Sequence, residues 1–172
     1  MAPNNKKYEI ADDLILEKDT VYDCDLKVSG NILGKDGNKY SLTVKGNISA
    51  RNISAWNISA GNITADDISA RNITAGNITA GDITAGDITA GDITAGDITA
   101  GDITAWDITA WGITAGDITA WDITAWGITA DDISYYAVCW AYYNIKCKSI
   151  VGRREHARHF VLDGKVTVKR VD

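Results

Sequence analysis

The chain has 172 residues, a hydrophobic content of 45% and a formal net charge of -6. The length predicts a single domain, and the acidic balance argues against direct binding of nucleic acid. The longest apolar and aromatic run, residues 135–143, is too short to cross a bilayer. With no apolar core of a signal peptide near the start, the sequence predicts a cytoplasmic protein without membrane contact.

Residues 1–45 predict an N-terminal β cap or irregular coil. Apolar residues alternate with polar ones in Leu26-Lys27-Val28 and Leu42-Thr43-Val44, on either side of a turn at residues 36–38. The end of a stacked β structure presents an open ladder of backbone groups, which invites association with other chains. A cap is therefore expected at this end.

Residues 46–130 are seventeen consecutive units of the pattern x-[Asn/Asp/Gly]-Ile-[Ser/Thr]-Ala, and residues 81–105 repeat Gly-Asp-Ile-Thr-Ala without variation. A short fixed period is typical of stacked repeat architectures. Disorder is the alternative, but every unit supplies β-branched residues, in which disordered chains are poor. Ile never varies and Ala follows two residues later, so we expect both to face inward and Ser or Thr to face outward. The two residues before Ile are expected at a corner.

The pattern resembles the pentapeptide repeat family over residues 46–130, with residues 131–135 as a degraded further unit. The resemblance implies an all-β, right-handed quadrilateral β-helix, in which four units form one coil of twenty residues. In the family a small inward residue precedes a Leu or Phe, whereas here Ala follows Ile, so we expect the reversed inward order. Members of the family are known as DNA mimics that bind topoisomerases.

Residues 136–172 predict an aromatic and basic C-terminal coil. Aromatic or apolar residues keep a spacing of five across its start, at Tyr135, Trp140, Ile145 and Ile150. We predict a coil widened by Tyr135 and Trp140, a basic loop or short helix over residues 152–160, and a closing β-hairpin across Asp163-Gly164. Whether this coil forms a homodimer is left open.

Acidic charge is concentrated on the repeats. Residues 46–135 carry twelve Asp and two Arg, a net charge of -10, whereas residues 1–45 carry -1 and residues 136–172 carry +5. Asn fills the same turn position at the start of the tract, and stacked carboxylates repel one another. The change from Asn to Asp therefore predicts a functional surface, although Asp as a plain turn residue that aids solubility is the alternative.

A coil of twenty residues predicts three columns of Asp along the rod. They are Asp67, Asp87 and Asp107; Asp82, Asp102 and Asp122; and Asp97 with Asp117. The predicted acidic binding residues are Asp67, Asp82, Asp87, Asp92, Asp97, Asp102, Asp107, Asp117 and Asp122.

Two further surfaces are predicted near the C-terminal end. Four Trp at corner positions predict an aromatic contact surface, because exposed Trp is typical of interfaces: Trp106, Trp111, Trp121 and Trp126. In a twenty-residue coil Trp126 would stack over Trp106, and rings that fold flat over an apolar edge are the alternative. The predicted basic patch, which would contact nucleic acid, a partner or the protein's own acidic rod, comprises Lys146, Lys148, Arg153, Arg154 and Arg158.

Residues suited to catalysis are scarce. No nucleophile has an evident base, and the spacing of two His and two Cys near the C-terminus fits no standard zinc site. The sequence therefore predicts no enzyme activity, no cofactor and no metal site, and it predicts free, buried thiols at Cys24, Cys139 and Cys147.

The favoured function is that of an acidic DNA mimic that inhibits a protein which normally binds DNA or RNA. The family resemblance implies a topoisomerase such as gyrase as the target, and the acidic phage inhibitors of CRISPR nucleases suggest a CRISPR nuclease. A structural or designed repeat scaffold without a specific partner is the main alternative. A β-helix that binds ice through outward Thr columns is a minor one.

Overall fold

The computed structural model describes residues 7–169, which form an all-β, parallel β-solenoid of about nine turns. The predicted all-β solenoid is thus confirmed. Residues 1–6 and 170–172, the outer ends of the two predicted terminal segments, lie outside the described residues. Across the described part of the chain, no helix is both long and apolar enough to cross a membrane.

The length of one coil differs from the prediction. Asp107 pairs with Asp92 and Ile118 with Ile103, so neighbouring coils lie fifteen residues apart. Three repeats, not four, therefore form one coil, and the predicted quadrilateral coil of twenty residues is wrong. One Ile and one Ala from each side fill a three-sided interior, and every repeat Ile is at most 2% exposed.

The three sides of the coil are named here by their Ile columns. Side A contains Ile48, Ile63, Ile78, Ile93, Ile108 and Ile123. Side B contains Ile53, Ile68, Ile83, Ile98, Ile113 and Ile128. Side C contains Ile58, Ile73, Ile88, Ile103, Ile118 and Ile133.

The inward and outward positions follow the prediction. On side B, for example, Ile98 is buried while Thr99 is exposed. Ala two residues after each Ile is buried or half-buried and packs against the core. The reversed inward order, Ile then Ala, is therefore confirmed.

The strands follow one another around the coil and pair in parallel with the coils before and after. Their bounds are β1 (Lys7–Ile10), β2 (Leu14–Leu16), β3 (Thr20–Tyr22), β4 (Asp25–Val28), β5 (Ile32–Gly34), β6 (Leu42–Val44), β7 (Ile48–Ser49), β8 (Asn52–Ser54), β9 (Asn57–Thr104), β10 (Asp107–Thr129), β11 (Asp132–Cys147), β12 (Ser149–Gly152), β13 (Arg158–Val161) and β14 (Lys165–Val168). β9 and β10 continue around the corners of several coils.

The first two coils are larger than the regular ones. Tyr8 pairs with Leu26, eighteen residues later, and Thr20 pairs with Leu42, twenty-two residues later. Part of the additional length forms a short 3-10 turn at Lys35–Gly37. Within that turn Asp36 and Gly37 have positive φ values of 53° and 77°, a region that Gly adopts readily and Asp tolerates.

The C-terminal coil corrects two predictions. β13 and β14 both pair in parallel with β11, so they form the sides of a last coil and the predicted closing hairpin is wrong. Cys139 aligns with Ile123 and takes the inward place, while Trp140 aligns with Thr124 and is exposed. Trp140 therefore does not widen the interior. The basic segment is a turn followed by β13, without the short helix that was one predicted alternative.

Candidate binding surface: acidic columns and tryptophan stacks

The Asp residues form columns on all three sides of the solenoid. The fifteen-residue register gives Asp92, Asp107 and Asp122 on side A, Asp67, Asp82 and Asp97 on side B, and Asp87, Asp102 and Asp117 on side C. The columns predicted at twenty-residue spacing are wrong, because residues twenty apart lie on different sides. All nine predicted Asp nevertheless lie in these columns.

Asn residues occupy the same columns in the earlier coils and hydrogen-bond to one another. The Asn62 Nδ2 atom donates to Asn47 Oδ1 at 2.9 Å, and Asn72 Nδ2 donates to Asn57 Oδ1 at 3.0 Å. A carboxylate has no N–H donor, so these side-chain contacts end where Asp begins.

Between neighbouring coils, the Asp columns keep only hydrogen bonds from a backbone N–H to a carboxylate oxygen. The backbone N–H of Asp97 donates to Asp82 Oδ1, and that of Asp117 donates to Asp102 Oδ1, both at 3.3 Å. On side A, partial burial raises the pKa of Asp107, and repulsion from the carboxylates of Asp122 and Asp92 raises it further. The surroundings of Asp107 therefore disfavour its ionised form.

The Trp residues form two stacks at two corners of the coil. The first, called here the Tyr136 stack, has ring centroids 5.7 Å apart from Trp106 to Trp121 and 4.7 Å apart from Trp121 to Tyr136. The second, the Tyr142 stack, has spacings of 5.2 Å from Trp111 to Trp126 and 4.9 Å from Trp126 to Tyr142. The predicted stacking of Trp126 over Trp106 is therefore wrong.

The four predicted Trp are exposed by between 43% and 66%. Each ring packs mainly against the ring in the next coil, while one side of each stack faces solvent. Each stack begins with a Trp, because the coil before carries Gly91 at the corner of Trp106 and Gly96 at the corner of Trp111.

Each stack is one wall of a groove that sequence reasoning missed. The Trp140 groove, of about 390 Å³, lies beside the Tyr142 stack and is lined by Thr94, Thr109, Thr124, Ala95, Ala110, Ala125 and Trp140. The Arg153 groove, of about 250 Å³, lies beside the Tyr136 stack and is lined by Thr89, Thr104, Thr119, Ala90, Ala105, Ala120 and Arg153. The two pairs of Trp at fifteen-residue spacing were the available signal for both.

The predicted basic residues are divided between corners. Lys148 Nζ lies 2.8 Å from Asp131 Oδ2 in an exposed ion pair. At another corner, Arg153 Nε donates to Ser134 Oγ at 2.6 Å and Arg153 Nη2 donates to Thr119 Oγ1 at 3.4 Å. Two members of the patch therefore contact the protein's own surface, while Lys146, Arg154 and Arg158 are exposed.

The three cysteines are free. Cys139 and Cys147 are buried as predicted, whereas Cys24 is only half-buried. Burial raises the pKa of the Cys139 thiol to about 12. Between residues 7 and 169, no group of three His, Cys, Asp or Glu side chains is placed to hold a metal ion.

Searches of known protein families, curated proteins and solved structures found no match. The solenoid is compatible with a pentapeptide-repeat β-helix, whereas its three-sided coil differs from the quadrilateral form that the resemblance implied.

Proposed function

We propose that this chain is a non-enzymatic, acidic DNA mimic that inhibits a protein which normally binds DNA or RNA. A gyrase-type topoisomerase and a CRISPR nuclease are the two target classes to test. The charge per unit length of the rod is the main support for this proposal. Residues 81–110 form two coils with three Asp each and no basic residue.

The resulting charge density is close to that of duplex DNA. Coils stacked at the spacing of neighbouring strands rise by about 4.8 Å, so three carboxylates per coil give one negative charge per ~1.6 Å of axis, against ~1.7 Å for B-DNA. A cleft whose cationic side chains match the phosphates of a duplex would meet a similar density on this rod.

The distribution of the acid also suits a partner that surrounds its substrate. Asp columns occupy all three sides, so a cleft that closes around the rod meets carboxylates in every direction. Long-range attraction between such a surface and a basic cleft speeds encounter and weakens with salt.

The loss of the Asn contacts supports a functional role for the acid over a plain turn role. Asn at these positions makes the side-chain hydrogen bonds seen between Asn62 and Asn47, whereas Asp loses them and adds repulsion. Asp therefore stabilises the later coils less than Asn would, although Asn is the residue at these positions in the earlier repeats.

The Trp stacks lie on the same coils as the last Asp columns, between residues 106 and 126. Large exposed aromatic surfaces are typical of protein interfaces. We propose that they contact the target beside its nucleic-acid site, so that a protein target is preferred over other polyelectrolytes.

Three matched triple variants test the proposal. D92N/D107N/D122N on side A, D67N/D82N/D97N on side B and D87N/D102N/D117N on side C each remove three charges from one side of the rod. Supercoiling by gyrase and guided cleavage by a CRISPR nuclease would be measured with increasing amounts of each protein. We expect the wild type to inhibit one of these enzymes, to compete with DNA for it, and to lose potency at high salt.

Mimicry predicts that each triple on a side that the target contacts weakens inhibition by at least about tenfold. The nine-Asn variant that combines all three triples should not inhibit. Full inhibition by a correctly folded nine-Asn variant would show that mimicry is wrong. If neither gyrase nor the CRISPR nuclease is inhibited, and neither binds this protein in a pull-down with or without DNA, the scaffold alternative is favoured.

A further inference from the structure

We propose that the Trp140 groove is a binding site for one planar aromatic cation of small-molecule size. Binding at this site does not depend on the proposed inhibition. The groove provides a shape that fits the ligand, and the neighbouring side A column provides negative charge that attracts it.

The groove has the form of a blind channel along the axis of the solenoid. Its floor is Ala95, Ala110 and Ala125, and the Thr side chains of the same three coils form one wall. The Tyr142 stack forms the other wall, and Trp140 closes the C-terminal end because it replaces Thr in the next coil. A volume of about 390 Å³ lies within the usual range for small ligands.

The walls favour a flat aromatic molecule. The indoles of Trp111 and Trp126 are nearly parallel, with an interplanar angle of 7°. Because these rings stack along the axis, the groove meets mainly their edges, and an aromatic ring lying along the wall makes favourable edge-to-face contacts. The Ala floor adds apolar contact beneath such a ligand.

The charge beside the groove favours a cation. Asp92, Asp107 and Asp122 each lie two residues before a Thr of the groove wall, so their side chains leave the same face of the same strands, about 7 Å away. None of these three carboxylates takes part in an ion pair within residues 7–169. Burial raises the pKa of Asp107 and repulsion from Asp122 and Asp92 raises it further, and a bound cation would offset the repulsive part.

The Arg153 groove is an internal control. It has an equivalent Thr wall, Ala floor and aromatic stack, but the guanidinium of Arg153 lies in it and Ser134 stands where the other groove has Trp140. The guanidinium repels a cation and fills part of the space. We therefore expect one binding site per chain, in the Trp140 groove.

The test is a titration of the full chain with thioflavin T, a planar aromatic cation, followed by dye fluorescence and by quenching of Trp emission. We expect one dye per chain. Thr109→Arg should lower the affinity by at least about tenfold because it adds a charge and bulk to the groove. Thr104→Arg, its counterpart in the Arg153 groove, should change the affinity by less than about twofold. If Thr109→Arg does not fold by circular dichroism, Thr94→Arg and Thr89→Arg form a second matched pair.

Two further arms test the charge. The uncharged analogue of the dye without its N-methyl group should bind at least about fivefold more weakly at low salt. D92N/D107N/D122N should weaken binding of the cationic dye by about three- to tenfold, and D87N/D102N/D117N should not. Two dyes per wild-type chain, equal losses in the two Arg variants, or equal binding of the uncharged analogue would overturn the proposal.

Discussion

Replacing Asp92, Asp107 and Asp122 together by Asn is expected to stabilise the solenoid. The three residues follow Asn47, Asn62 and Asn77 in the side A column. One amide contact of that column measures 2.9 Å from nitrogen to oxygen. The variant would extend this series through three more coils.

The expected gain follows from two contributions. Three additional exposed hydrogen bonds contribute about 0.5 kcal/mol each. Removing two repulsions between carboxylates in neighbouring coils, about 5 Å apart, contributes roughly 0.5–0.8 kcal/mol each before salt screening. The sum of about 2–3 kcal/mol corresponds to a rise in Tm of roughly 5–10 °C for a protein of this size.

The gain should also depend on pH. The folded-state pKa of Asp107 is raised above its ordinary value of 3.8, so its charge destabilises the fold at neutral pH. The wild type regains stability as pH falls through the folded pKa toward 3.8. The advantage of the variant should therefore be full at neutral pH and shrink in that acidic window.

Thermal and urea unfolding followed by circular dichroism would measure the change at low and high salt. Because repeat proteins can unfold in steps, wild type and variant should be compared with the same probe. Asp12→Asn, which removes an exposed acid outside the columns, is the control and should leave the Tm unchanged. A triple variant that melts at or below the wild-type temperature at neutral pH and low salt would show that the stacked carboxylates do not destabilise the fold.

Two further predictions concern packing. Gly96→Ala should lower the free energy of unfolding by about 1–3 kcal/mol, because its Cβ would lie 2.7 Å from the carbonyl oxygen of Gly81. Gly127→Ala, whose Cβ would have no atom within 4 Å, should be neutral or stabilise by up to about 1 kcal/mol; equal effects in paired urea melts would contradict this corner geometry. In the native protein, Ellman's reagent should modify Cys24 well before Cys147 and Cys139, since burial raises the pKa of Cys139 to about 12. Three equally fast thiols would contradict the burial.

The inward residues could be predicted because Ile and Ala never vary within the repeats, and only an interior position imposes that constancy. The coil length could not be derived from the unit, since a five-residue period is compatible with three or four units per turn. How sharply each corner bends and how well the interior fills decide between them. The fifteen-residue separations from Trp106 to Trp121 and from Trp111 to Trp126 fit a coil of three units, but the twenty-residue separation from Trp106 to Trp126 fits a coil of four.

The closing hairpin was predicted from local turn chemistry alone. Asp163-Gly164 suits a hairpin turn, but a solenoid corner uses the same residue types. The strand that pairs with both β13 and β14 is β11, which begins at Asp132. The residues around the turn do not show which distant strand β13 and β14 pair with, so the pairing could not be predicted from them.

Because three units form one coil, the number of repeats decides both the length of the solenoid and the direction in which its later surfaces face around the axis. Removing a single unit, such as residues 91–95, would leave an Ile above and below every later Ile, yet it would move each later unit back to the preceding side of the coil. The Tyr142 stack would then face a different direction relative to the Asn columns at the start. Only insertions or deletions of fifteen residues, or multiples of fifteen, preserve that direction. The number of identical units in residues 81–105 therefore sets the orientation of the aromatic end of the rod relative to its neutral beginning.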